Sequence, residues 1–150
     1  IAGHTFIGLH EAENSYFHRA MCAQDYSAVT AACMMTKAEV FRQAGGFTEE
    51  LAVAFNDIDY CMKVRALGKL VVYAPYAVMH HYESKSRGLE DTPEKVARFN
   101  REVAVFARRW PDILKNGDPY YNPNLTLRKS NFALRDLLKE KIGEPYKLEG

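Results

Sequence analysis

The sequence predicts an α/β fold with a helical C-terminal third, and three observations carry that prediction. Two short apolar runs, residues 28–35 and 70–73, have the length and composition of buried strands. Four stretches repeat apolar residues at helical spacing, most of them between recognisable starts and stops. Polar and charged residues crowd the segments between them. At 150 residues, 47% hydrophobic and 26% charged, the chain has the make-up of one globular domain, not of a disordered one.

Residues 1–27 are rich in His and aromatics (His4, Phe6, His10, Tyr16, Phe17, His18, Tyr26) without a clean period. They read as loops with one short helix over 15–21. The run 28–35 fits a strand buried on both faces, and periodicity alone leaves a helix open as the alternative. Thr36 and Glu39 match a capping box, in which hydroxyl and carboxylate each satisfy an unpaired backbone N–H. Val40, Phe41 and Ala44 then share a face, and Gly45-Gly46 supplies a left-handed stop. A second helix is expected over 57–67, ending at Gly68, with Ile58, Cys61, Met62 and Leu67 as its buried stripe.

Residues 70–73 are β-branched and aromatic, and Pro75 ends that strand. Residues 77–82 can continue extended, which points His80 and His81 to opposite faces. The polar stretch 82–91 reads as a loop. Thr92-Pro93-Glu94 places a cap, a proline at the first helical position and an acid in the first turn. Val96, Phe99, Val103, Phe106 and Trp110 follow at helical spacing up to Pro111, making this the longest helix. Two prolines stiffen the loop 118–124, and a last amphipathic helix is expected over 132–141.

Composition excludes some functions. A formal net charge of +1 argues against a nucleic-acid partner, because phosphate recognition needs a cationic surplus. The longest nearly apolar run, 28–35, is far short of the ~20 residues that cross a bilayer. Three cysteines without paired spacing suit free thiols in a reducing cytoplasm. The apolar opening, without an initiator Met or leader, reads as the interior of a longer protein.

The densest chemistry lies at Asn56-Asp57-Ile58-Asp59, in the first turn of the second helix. Residues two apart on a helix project about 200° apart, so Asp57 and Asp59 cannot face one small site. One of them can face a cleft while the other serves the structure. The plainer reading makes Asn56 a cap and both acids favourable partners of the helix dipole. A second cluster, His80-His81-Tyr82-Glu83-Ser84-Lys85-Ser86-Arg87-Gly88, gathers His, acid, hydroxyls and two cations just after a strand. There His81 could meet a metal or phosphate, and Lys85 and Arg87 a diphosphate; the plain alternative is a solvated charged loop. No Cys/His zinc spacing, Gly-rich phosphate loop or nucleophile elbow is present.

Val29-Thr30-Ala31-Ala32-Cys33 and Val40-Phe41, followed by Gly45-Gly46-Phe47-Thr48-Glu49-Glu50, resemble the acceptor-side half of family 2 glycosyltransferases. The resemblance continues through Asn56-Asp57-Ile58-Asp59-Tyr60-Cys61, Arg65, Gly68, Pro75, His81-Tyr82-Glu83-Ser84 and Ser86-Arg87-Gly88. It extends to Asp118-Pro119-Tyr120-Tyr121-Asn122-Pro123-Asn124-Leu125 and so covers residues 1–127, leaving 128–150 as a C-terminal helical extension.

The resemblance implies part of a GT-A fold, a short sheet packed with helices. It also implies inverting transfer of a sugar from a nucleotide-sugar to an acceptor hydroxyl, with Asp57 as catalytic base. Asn56 stands where Glu is frequent, and Lys63 replaces a frequent Arg. His81 matches a position near the metal or donor diphosphate, with Lys85 and Arg87 on a loop over the donor. Asn56, Asp59, Glu83 and Ser84 are the supporting, acceptor-side residues. The implied cofactor is Mg²⁺ or Mn²⁺, whose main Asp-x-Asp ligands belong to the donor-binding half, outside this sequence. The implied setting is cell-surface polysaccharide or O-antigen synthesis at the inner face of the membrane, on a saccharide or lipid-linked acceptor. Peripheral membrane association and self-pairing of an exposed sheet edge stay open on this reading. The chain alone is expected to lack transferase turnover. The rival expectation is a non-catalytic sugar-binding or interaction module that keeps the same fold.

Overall fold

Helix α2 (Asn56–Ala66) buries Asp59, Tyr60, Cys61, Met62 and Val64, residues spread round most of its circumference, and the other elements pack about it. The computed structural model describes residues 2–10, 13–82 and 92–140. In chain order, a kinked 3₁₀ segment (Tyr16–Met21) leads to strand β1 (Gln24–Asp25) and a 3₁₀ turn (Ala31–Cys33). Helix α1 (Ala38–Gln43), α2, strand β2 (Val72–Tyr73), α3 (Pro93–Arg109) and α4 (Pro111–Asn116) follow. The described sheet is the antiparallel pair β1–β2, with Gln24 opposite Tyr73 and Asp25 opposite Val72.

The core joins Leu51, Tyr60, Cys61, Met62, Val64, Val71 and Phe106, with Phe41, Phe55 and Trp110 packed against it. Local signals fix the helix ends. Gly68 (φ 72) closes α2 by donating its N–H to the Arg65 carbonyl at 2.8 Å. Gly46 (φ 65) lies in the turn that stops α1, and a Cβ there would lie 3.2 Å from the Phe41 ring, so a side chain would be strained both by the backbone and by that ring. Thr92 caps α3, its hydroxyl accepting the Lys95 N–H at 3.4 Å, and Phe106 is the residue of α3 that reaches deepest into the core.

Several expectations are corrected. Residues 28–35 form no strand: Thr30 caps a 3₁₀ turn by accepting the Ala32 N–H at 3.3 Å, and Met35 is 99% exposed. The small side chains of Ala31, Ala32 and Cys33 give a sheet little to bury, so the local hydroxyl bond prevails. Thr36 makes no capping box; its hydroxyl lies 2.8 Å from that of Tyr60, and Lys37 occupies the cap position. Within the stretch 15–21, Tyr16–Met21 is 3₁₀ and not α, broken at Phe17 (φ 48) and His18 (φ 55).

The cap residue of α2 is Phe55, in the left-handed region at φ 63, and not Asn56. Leu67 is exposed, outside the stripe assigned to it, because the buried arc ends at Val64. Pro111 ends α3 but starts α4, where a missing N–H costs nothing. The part of 132–141 that is described holds no helix. Phe132 (φ 59) is pinned in an aromatic cluster, Leu134 bridges to Leu125, and a stretch this short has too little propensity to resist.

Candidate functional site

The first turn of α2 separates its two acids as the helical geometry requires. Asp59 points inward, 0% exposed, and is met on every side. Its Oδ1 accepts from Arg109 Nε at 2.7 Å and Trp110 Nε1 at 2.8 Å. Its Oδ2 accepts from the Thr48 hydroxyl at 2.6 Å and faces Lys63 Nζ at 3.1 Å. Burial by itself pushes this carboxyl up. The bonds from Thr48, Trp110, Arg109 and Lys63 outweigh it and hold the group below the usual carboxylate range. Lys63 also donates to the Gly46 carbonyl at 2.9 Å and the Thr48 hydroxyl at 2.7 Å, which ties the loop after α1 to α2.

Asp57 points the other way and is half-buried. Its Oδ2 accepts the Ala31 N–H at 3.0 Å and its Oδ1 the Ile58 N–H at 2.9 Å. A carboxylate offers about four acceptor positions, so these two bonds orient the group and leave capacity for a hydroxyl. Ala31 belongs to the 3₁₀ turn that replaced the expected strand. The geometry thus gives a fixed, partly open acceptor at a helix N-terminus, suited to receiving a proton from an alcohol.

The entry to α2 is held from α3. Glu102, 3% exposed, accepts the Val53 N–H through Oε1 at 3.3 Å and the Ala54 N–H through Oε2 at 2.7 Å. The Phe55 ring packs against Phe99 and Phe106, centroids 5.5 and 5.6 Å away. At the other end of α2, Arg65 donates to the Ser27 hydroxyl at 3.0 Å, and Ser27 donates to Asp118 Oδ1 at 2.6 Å. The Arg65 guanidinium lies 5.2 Å from the Tyr120 ring centre, so the proline-stiffened loop docks beside the last turn of α2.

Of the residues named from sequence, Asn56, Asp57 and Asp59 share one helical turn, with Asp59 committed to the interior. His81 lies on the exposed segment after β2. Glu83, Ser84, Lys85 and Arg87 lie outside the described residues. No three His, Cys, Asp or Glu side chains among the described residues cluster closely enough to hold a metal ion. His81 supplies a single ring and no cage, so these residues do not by themselves fit Mg²⁺ or Mn²⁺. Among the described residues no helix is long and apolar enough to cross a membrane.

Sequence reasoning missed Glu102, Thr48, Arg109 and the Ala31 amide. Only Glu102 left a signal, an acid set between Phe99 and Phe106 in an otherwise apolar stripe.

No protein-family model matches the chain, and no solved structure is significantly similar to it. An uncharacterized protein of Sinorhizobium fredii, y4gI, is 52% identical over 136 residues, 89% of this chain and 15% of its own length. A protein of Myxococcus xanthus named O-antigen biosynthesis protein RfbC is 36% identical over 135 residues, again 89% of this chain and 10% of that protein. The chain therefore spans a small part of each relative and is similar, along most of its own length, to a segment of a protein named for O-antigen synthesis.

Proposed function

We propose that this chain is the acceptor-side part of an inverting family 2 glycosyltransferase with the GT-A fold, acting in surface-polysaccharide synthesis. The observation that carries the proposal is Asp57: a carboxylate oriented by two backbone amides, half-open, at the start of a helix whose other acid is locked in the core. The similarity to RfbC supports the same reading.

The reaction is a single displacement. Asp57 accepts the proton of the acceptor hydroxyl as its oxygen attacks the anomeric carbon, the bond to the nucleoside diphosphate breaks, and the configuration inverts. The chain's own part is to orient Asp57 and to hold the acceptor hydroxyl against it.

The test is Asp57→Asn in the full-length protein. UDP-glucose, GDP-mannose and dTDP-rhamnose serve as trial donors with a lipid-linked saccharide as acceptor. Nucleoside diphosphate release should fall about 10²–10⁴-fold, with donor affinity kept. Turnover equal to wild type removes Asp57 as the base. Saccharide binding with no turnover in the wild-type protein favours a non-catalytic sugar-binding module.

A further inference from the structure

Glu102 is a buried carboxylate that lies 3.9 Å from Arg98 Nε and accepts two backbone N–H groups. Desolvating a carboxylate is costly, and here the return is geometric: each oxygen takes one of two successive amides, Val53 and Ala54. The turn so fixed runs into Phe55, whose φ of 63 is a conformation bulky residues avoid unless the surroundings impose it. Those surroundings come from the same helix, since Phe99 and Phe106 grip the Phe55 ring. One face of α3 thus supplies a polar and an apolar clamp on the residues just before Asn56-Asp57. Where that turn sits decides where the first turn of α2 begins, and hence whether Asp57 Oδ2 reaches the Ala31 amide at 3.0 Å.

We propose that Glu102 is a positioning residue for Asp57, acting through the 53–55 turn. The proposal rests on the reading of Asp57 as base, and amide exchange tests it separately from turnover. Glu102→Gln keeps the shape but turns one acceptor oxygen into an NH₂ group that cannot receive a backbone N–H. Exchange should quicken about tenfold at Val53 and Ala54 and also at Ala31, while the amides of residues 60–64 stay protected. In the full-length protein, kcat should fall about tenfold with donor KM unchanged, the mark of a misplaced group and not of lost binding.

Should the Gln variant fail to fold, Glu102→Asp keeps the charge, is too short to serve both amides, and carries the same expectation. Faster exchange at Val53 and Ala54 with Ala31 as in wild type overturns the proposal, because Glu102 is then only a local clamp. If Asp57→Asn proves fully active, the base reading falls, while quickened Ala31 exchange in Glu102→Gln still establishes the positioning.

Discussion

Asp57 and Asp59 differ by two positions and by everything around them. Asp59 holds two cations and two neutral donors in place with one buried carboxylate. Asp59→Asn should cost about 3 kcal/mol in urea unfolding, because Lys63 and Arg109 lose their counter-charge. The depressed pKa fixes the sign of the pH dependence. Its contribution is complete above the unfolded carboxyl's value, about 4, and is lost as pH falls through the lower folded value. The wild-type urea midpoint should therefore drop in acid by more than that of the Asn variant. At this scale the sequence was partly legible. Spacing alone separated the two acids, but the donors that bury Asp59 come from residues 48, 109 and 110, which no local pattern connects to it.

Among elements, α2 and α3 were readable because their limits are set locally, by Thr92-Pro93 at one start and Gly68 at one stop. The region 28–35 was not. An apolar run says that something is buried, whereas one Thr30 hydroxyl decided for a turn. The two-residue strand β1 is too short to leave a period, whereas β2 falls inside the strand expected over 70–73, which composition and not periodicity marked. The stop after α1 offers a direct check. Gly46→Ala should lower stability by about 1–2 kcal/mol in thermal unfolding, since it meets both a positive φ and the Phe41 ring. An unchanged midpoint would mean that the 45–47 turn re-forms at no cost.

Among the described residues there are two apolar centres. Besides the core round α2, Phe132 gathers Phe6, Tyr16 and Tyr121 at ring distances of 5.0, 5.3 and 5.2 Å, and Arg19 lies 5.2 Å from its ring centre. The Phe6 N–H donates to the Ser130 carbonyl at 2.6 Å, so the first residues described are fastened to nearly the last. Phe6 and Tyr16 looked like loop residues because their partner, Phe132, lies more than a hundred positions away. Phe132→Ala should release residues 2–21 to protease while the main unfolding transition stays close to wild type. Equal loss of both would show a single cooperative core.

Lys63 Nζ donates to the Gly46 carbonyl and the Thr48 hydroxyl and pairs in charge with Asp59, to which Thr48 itself donates. A compact ammonium sits among these groups, where a guanidinium would bring the same charge on a larger planar fork. Position 63 is thus in direct contact with position 48. An arginine here would carry its charge on a larger head, and Thr48 and the Gly46 carbonyl are the groups that head would meet.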